Sequence, residues 1–285
     1  ENNKEYRNDT AINYAGRWIT YRELFQNIDN IAIAFFYEGI REGDIVTIIA
    51  PSIPEVIYTF YALNKIGAIS NFIDPRKSAK EVEDLLANMQ SNACIVLDSM
   101  WEKFFDVLSK KCTLLISVSI VDSLVGLPKN LMKLRRIKVN EKIVPLRNLI
   151  MQHKNAKDVI KAVFKQNTVA LIEYTGGTTG ISKGVMLSNE NVNSIIEQTK
   201  YSGVPISRGE SWLSVAFPFT AYSLICSQHM PLSLGVKAYL CFDLDVKKVE
   251  KTLKKTKVNH MANTPIMWEQ LTKRRAVRKR DLSFM

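Results

Sequence analysis

The chain has 285 residues, of which 46% are hydrophobic and 24% charged, proportions typical of a globular protein with a sizeable core. The first fifteen residues are polar and charged and do not resemble a secretory signal peptide. An uncharged stretch, Leu213–Val236, contains Pro218, Pro231 and several polar side chains, so it predicts a buried strand and helix, not a membrane span. We therefore expect a cytoplasmic protein without a membrane span.

The net charge of +11 is concentrated near the carboxyl end of the chain. Residues 247–257 and 273–280 together hold twelve Lys or Arg and one Glu, which accounts for the whole excess. No aromatic residues are interleaved for base stacking, so we expect a solvated helix face and no nucleic-acid partner. Attraction of phosphate-bearing ligands is the alternative interpretation.

The cysteines and histidines give no indication of a metal site. Four cysteines are widely spaced without a CxxC pair, and three histidines lie equally far apart. We expect free thiols in a reducing cytoplasm and no metal bound by these side chains.

Strands and capped helices alternate along the first 120 residues. Apolar runs predict four strands: Asp44–Ala50, Ala68–Ile73, Ala93–Leu97 and Thr113–Val118. Capping boxes, each a Ser or Thr with Glu three residues later, predict three helix starts: Thr20/Glu23, Ser52/Glu55 and Ser78/Glu81. This alternation predicts an α/β fold with parallel sheets flanked by helices on both faces.

The pattern weakens from Ser119 to Lys165, where we expect an irregular crossover with a helix near Ala156–Phe164. It resumes with predicted strands at Thr168–Tyr174, Ser211–Phe217, Lys237–Phe242 and Val258–Ala262, and with a helix over Asn189–Tyr201. We therefore predict two subdomains, residues 1–165 and 166–285, the second containing the loop described next.

A loop rich in glycine and threonine follows the strand at Thr168–Tyr174. Its sequence is Thr175, Gly176, Gly177, Thr178, Thr179, Gly180, Ile181, Ser182, Lys183, Gly184. The glycines allow sharp turns that direct backbone N–H groups into one concavity, and the threonine hydroxyls add further donors. With the mobile charge of Lys183, the loop suits a polyphosphate.

Two other phosphate-binding motifs are excluded at this loop. The Walker loop requires Gly-Lys-Ser/Thr in sequence, whereas Lys183 is followed by Gly184 and Val185. The dinucleotide fingerprint requires G-x-G-x-x-G, which residues 176–180 do not supply.

The segment Tyr174–Val185 resembles the signature loop of the adenylate-forming (AMP-binding) superfamily, Y/F-T-S-G-T-T-G-x-P-K-G-V. Further segments resemble other motifs of that superfamily: Ile19–Leu24, Gly43–Val46, Pro54-Glu55, Ala62–Ala68, Thr264-Pro265 and Arg280–Ser283. The resemblance covers nearly the whole chain and is closest to the N-terminal part of acyl-CoA synthetases and related ligases.

The resemblance implies that a carboxylate attacks the α-phosphate of ATP, with Mg²⁺ present, and that coenzyme A then takes the acyl group. The implied phosphate cradle is Thr175, Gly176, Gly177, Thr178, Thr179, Gly180 and Lys183. The superfamily's magnesium-holding glutamate, ribose-binding aspartate and catalytic lysine would all lie beyond Met285. We therefore expect an N-terminal fragment that contains no catalytic residue and is inactive by itself.

Four positions depart from the superfamily pattern and bear on the substrate. Gly176 replaces the usual Ser and Ser182 the usual Pro, while Asn189 and Ala221 stand where His is frequent. The resemblance also implies that Ser223 and Ser227 fall where related ligases line the acyl pocket, although both serines also suit an ordinary helix.

Three alternatives remain open at this stage. An adenylation domain that loads an amino or hydroxy acid onto a carrier protein would need a charged residue within Phe217–Leu224, and that segment has none. A non-catalytic nucleotide-binding homologue would bind ATP without pyrophosphate exchange. A basic nucleic-acid-binding module would bind DNA with a steep salt dependence. The favoured partners are a small-molecule carboxylic acid and a thiol acceptor.

Overall fold

A computed structural model describes residues 3–87, 89–124, 140–158, 161–163, 165–175, 182–215, 217–241, 245–274 and 277. The chain divides into two compact units, one within residues 24–192 and the other within residues 1–23 and 193–285. Each unit is built on its own β-sheet with flanking helices, which confirms the predicted α/β class.

The unit within residues 24–192 has a seven-stranded sheet. Its strands are β3 (Ile45–Ile49), β4 (Ile69–Phe72), β5 (Ser91–Leu97), β6 (Leu114–Val118), β7 (Val144–Pro145), β8 (Val169–Thr175) and β9 (Lys183–Ser188). Their order across the sheet is β7-β6-β5-β3-β4-β8-β9. All neighbours pair in parallel except β8 and β9, which are antiparallel.

The helices of this sheet are α1 (Tyr21–Tyr37), α2 (Pro54–Ile66), α3 (Ala79–Leu85), α4 (Trp101–Lys111) and α5 (Leu146–Gln152). The first turn of α1 belongs to the other unit. Strands buried on both faces need continuous apolar runs, and β3 supplies Val46, Ile48 and Ile49 with no measurable exposure. On the α3–α4 side, Trp101, Phe104 and Leu108 form one core cluster with Ile49.

The other unit has a five-stranded sheet of order β12-β10-β11-β1-β2. Its strands are β1 (Thr10–Tyr14), β2 (Arg17–Thr20), β10 (Ser211–Val215), β11 (Lys237–Cys241) and β12 (His260–Met261). β2 runs antiparallel to β1, and the other neighbours pair in parallel. β1 and β2 are not among the predicted strands, and they join the sheet from the amino-terminal end of the chain.

The helices of this second sheet are α6 (Asn189–Tyr201), α7 (Ala221–Leu224), α8 (Met230–Leu234), α9 (Val246–Lys255) and α10 (Pro265–Thr272). A π-helical turn, Ile225–His229, connects α7 and α8. Val249 and Leu253 of α9 pack with Leu271 of α10 against Leu213 of β10. Among the described residues, no helix has both the length and the apolar character required to cross a bilayer.

Two of the three predicted capping boxes are confirmed. The Thr20 backbone N–H donates to Glu23 over 3.0 Å while the Glu23 N–H donates to Thr20 Oγ1, and Ser78 with Glu81 forms the same reciprocal pair. The prediction at Ser52 was wrong, because the N-cap of α2 is Ile53 and its side chain makes no capping bond.

The helix predicted near Ala156–Phe164 is also wrong for the residues described there, which have no helical structure. In place of an intrahelical hydrogen bond, the Ala162 N–H donates a tertiary one to the carbonyl of Lys65, at the end of α2, over 2.9 Å. The observed helix, α5, lies ten residues earlier.

The compact units divide the chain differently from the predicted boundary at residue 165. β8 pairs with β4 and β9 pairs with β8, so the two strands that flank the glycine–threonine loop both belong to the seven-stranded unit. The second unit instead takes residues from both ends of the chain, because β1 pairs in parallel with β11.

Candidate phosphate-binding site

The predicted phosphate loop connects two strands that pair as an antiparallel hairpin. β8 is an apolar, buried strand, and it is paired with β9 from Val169↔Ser188 to Thr175↔Lys183. Partners in such a pair have Cα atoms about 4.5–5.5 Å apart. The pairing therefore brings Thr175 and Lys183, the two ends of the predicted cradle, next to each other.

Gly184 packs closely against two neighbouring side chains at this end of the hairpin. A Cβ atom there would lie 3.3 Å from Cγ2 of Ile172 and 3.4 Å from Cε1 of Tyr174. Contacts that short are tighter than most, so a larger residue would require the Ile172 or Tyr174 side chain to shift by a few tenths of an ångström. This close packing lies one residue after Lys183, the first residue of β9.

Thr175 and Lys183 are both exposed, so a hydroxyl and an ammonium group share one accessible rim. Within the described part of the chain, no carboxylate forms an ion pair with Lys183, which leaves its charge available to an anion. The other predicted cradle residues, Gly176, Gly177, Thr178, Thr179 and Gly180, lie outside the described residues.

Glu173, two residues before the loop, was not identified from the sequence. Its side chain is buried, with 4% of the residue exposed, and neither carboxylate oxygen has a hydrogen-bond partner among the described residues. Burial raises the pKa of Glu173 to about 9, so it is protonated at neutral pH. A lone Glu inside an apolar strand was the available signal.

Tyr174 packs on the opposite face of the strand, against the α3–α4 core. Burial raises the pKa of Tyr174 to about 12, and an interaction with Asn71 opposes the shift. Asn71 itself donates to Thr47 Oγ1 over 3.0 Å, and Thr47 lies 2.8 Å from Ser91 Oγ. A buried row of polar side chains thus crosses three adjacent strands and fixes the register beside Tyr174.

The helix after the hairpin, α6, is anchored at its first two residues. Asn64 Nδ2 donates to Asn189 Oδ1 over 2.7 Å, and the Asn167 N–H donates to Glu190 Oε1 over 2.8 Å. The backbone N–H of Asn167 is the largest cause of the lowered pKa of Glu190. Asn189, where related ligases often have His, is therefore a structural link to α2.

Ser223 and Ser227 lie in the other unit, in the helical segment that follows Thr220. Ser223 is half-buried in α7, whereas Ser227 is fully buried in the π-helical turn. Among the described residues, Ser227 Oγ has no hydrogen-bond partner. Short π-helical turns occur frequently at functional sites. A buried hydroxyl without a hydrogen-bond partner lowers the free energy of unfolding unless a ligand binds it.

Comparison with known proteins identifies the family. The AMP-binding enzyme family matches residues 1–284. A long-chain-fatty-acid–CoA ligase of Bacillus subtilis is 23% identical over 283 residues, covering 96% of this chain and 50% of the relative. A 2-succinylbenzoate–CoA ligase of Listeria innocua is 24% identical over 270 residues, covering 93% of this chain and 48% of the relative.

Solved structures agree on the fold. The anthranilate CoA ligase AuaEII in complex with anthranoyl-AMP superposes with a TM-score of 0.84 at 17% identity, covering 99% of this chain and 52% of that one. ATP-bound MatB from Rhodopseudomonas palustris gives 0.76 at 16% identity, covering 95% and 49%. The chain thus spans about half the length of the relatives it matches. With a family match over nearly every residue and this fold, the chain belongs to the AMP-binding enzyme family.

Proposed function

We propose that this chain is the nucleotide-binding N-terminal part of an ATP-dependent carboxylic acid ligase. The enzyme would form an acyl-adenylate and then an acyl thioester, with coenzyme A as the thiol. The observation that carries the proposal is the pairing of Thr175 with Lys183, which joins the ends of a glycine–threonine loop beside an accessible ammonium group. Family membership and the ligase names of the relatives support it.

In the proposed reaction, a carboxylate oxygen attacks the α-phosphorus of ATP and pyrophosphate leaves. The residues assigned to the β- and γ-phosphates are Thr175, Gly176, Gly177, Thr178, Thr179, Gly180 and Lys183. Their role is to orient the leaving group and offset its negative charge with hydroxyl, N–H and ammonium donors. We assign no catalytic residue to this chain, and Mg²⁺ would accompany the triphosphate as it does in phosphoryl transfer generally.

We assign the binding site of the acid substrate to the segment around the π-helical turn. Ser227 offers a buried hydroxyl without a partner in the described structure, and Ser223 lies one turn earlier. Residues 217–224 contain no charged side chain that could bind an α-amino group, which favours an acid without an amine. The acyl-CoA synthetases among the relatives act on acids of that kind by name.

The four cysteines Cys94, Cys112, Cys226 and Cys241 are free thiols. Thiols of this kind persist in a reducing compartment. We therefore assign the protein to the cytoplasm.

The loop assignment is tested by pyrophosphate exchange in the full-length protein. Thr178→Val and Lys183→Ala should each reduce acid-dependent exchange at least about tenfold, because each removes a group that meets phosphate directly. Lys154→Ala is the matched control, since Lys154 is an exposed lysine of the same unit outside the loop. Unchanged exchange in both loop variants would refute the assignment.

A further inference from the structure

Helix α9 separates its side chains into an apolar face and a basic face. Val249 and Leu253 are buried against the core of the five-stranded unit, while the lysines at 247, 248, 251, 254 and 255 are exposed. At 100° per residue, these five lysines fall within an arc of about 120°, opposite the buried valine and leucine. Lys257 extends the exposed basic surface just beyond the helix.

Much of this positive charge is not neutralised within the unit. Glu250, the acidic residue of α9, is buried and is bonded by Lys254 at 2.7 Å and by Arg274. Lys254 is the largest cause of the lowered pKa of Glu250. Among the described residues, no ion pair involves Lys247, Lys251 or Lys255, which recur every four residues along the exposed face.

The chemistry of this face favours one class of partner. Every exposed cation on it is a lysine, a compact and strongly hydrated point charge that suits diffuse attraction, whereas arginine suits bidentate recognition of single phosphates. The face carries no aromatic side chain on which a base could stack. Lys247, Lys251 and Lys255 span about 12 Å along the helix axis and turn through only about 80° around it, so they can face one extended anionic surface together.

We propose that the basic face of α9 is a docking surface for the anionic phospholipid headgroups of a membrane. The attraction is electrostatic and peripheral, with the apolar face of α9 remaining in the protein core. Docking would hold the protein at the surface of the bilayer without inserting any helix. The inference does not depend on the ligase assignment, because none of these lysines belongs to the proposed phosphate or acid sites.

The test is co-sedimentation of the full-length protein with vesicles of phosphatidylcholine alone and with about one-third phosphatidylserine. Binding should require phosphatidylserine and should weaken steeply as salt is raised. The variant Lys247→Gln/Lys251→Gln/Lys255→Gln should bind about a hundredfold more weakly, since each lysine near such a surface contributes about fivefold. Gln is a good helix former, and unchanged thermal unfolding will verify that α9 persists.

The matched control is Lys110→Gln/Lys111→Gln/Lys142→Gln, which removes the same charge from exposed positions of the other unit. This control should bind the anionic vesicles within about threefold of the unsubstituted protein. Equal loss in both triple variants, or no binding to phosphatidylserine vesicles, would overturn the proposal. Tighter binding to duplex DNA than to vesicles, through the same three lysines, would also overturn it in favour of a nucleic-acid surface.

Discussion

Asn64 Nδ2 donates a hydrogen bond to Asn189 Oδ1 over 2.7 Å, which joins the last turn of α2 to the first residue of α6. The two asparagines are 125 residues apart in the chain, and both are partly buried. Both asparagines lie in the unit of residues 24–192, so within that unit the bond fixes the first residue after the hairpin against the end of α2. It also explains why an amide serves at position 189, since the position faces a hydrogen-bond donor.

Removal of either amide should lower the free energy of unfolding by about 1 kcal/mol. Asn64→Ala and Asn189→Ala should each show this loss in urea unfolding at neutral pH. The double variant should lose less than the sum of the two, because a shared bond can be removed only once. Additive losses would show that the two side chains act independently.

The buried carboxyl of Glu173 should make folding sensitive to pH. Its pKa rises from 4.5 in the unfolded chain to about 9 in the folded protein, so folding takes up a proton between these values. The stability contribution is complete below pH 4.5 and falls by about 1.4 kcal/mol per pH unit as pH rises toward 9.

Glu173→Gln should remove that pH dependence, because an amide of similar shape cannot ionise. Relative to this variant, the unsubstituted protein should lose about 4 kcal/mol of unfolding free energy between pH 5 and pH 8. Chemical denaturation of both proteins at the two pH values measures the difference. Parallel pH profiles would mean that Glu173 is ionised in the folded state.

Gly67 ends α2 with a positive φ of 79°. A Cβ atom at this position would lie 2.9 Å from Cγ of Glu42 and 3.0 Å from Cβ of Ala162. Gly67→Ala should therefore combine backbone strain with a steric clash and cost about 2 kcal/mol or more.

Gly203→Ala separates these two causes. Gly203 has a φ of 77°, but a Cβ atom there would have no neighbour within 4 Å. Gly203→Ala should therefore lower the free energy of unfolding by about 1 kcal/mol, from backbone strain alone. Equal losses at positions 67 and 203, in thermal or urea unfolding, would show that Glu42 and Ala162 yield freely.

The fold was largely predictable from sequence where local signals and tertiary packing agree. The continuous apolar runs of β3 and β5 and the boxes at Thr20 and Ser78 specify strands and helix starts within a few residues. The prediction failed at Ser52 because the helix takes Ile53 as its N-cap, while Glu55 accepts a bond from Ser123 in a distant segment. A four-residue capping motif cannot indicate a hydrogen bond to a residue 68 positions away in the chain.

The residues of the loop were predictable from the sequence, whereas the strand pairing and burial around the loop were not. The glycine–threonine pattern locates the loop, but its spacing does not reveal that Lys183 begins a strand paired antiparallel to β8. Glu173 was not predictable as a protonated carboxyl, because its raised pKa depends on burial that only the assembled sheet supplies. Non-local pairing is the physical reason in both cases.

Ser227 offers a test of the proposed acid site that is independent of the phosphate loop. Ser227→Ala removes a buried hydroxyl that has no described partner, so the free energy of unfolding should stay within about 0.5 kcal/mol or increase. If the hydroxyl binds the acid, the KM for the acid should rise several-fold in the full-length protein while the KM for ATP is unchanged. Unaltered KM values for both substrates would contradict the assignment.

β9 is an edge strand of the seven-stranded sheet, and an exposed edge strand can pair with a strand of another molecule. Val185 and Met186 are 39% and 67% exposed on this strand, and Lys183 stands at its start. A lysine on such an edge strand discourages intermolecular pairing, so we expect Lys183 also to limit aggregation. Lys183→Ala should therefore increase light scattering at high protein concentration, whereas Lys183→Arg should keep the solution monodisperse.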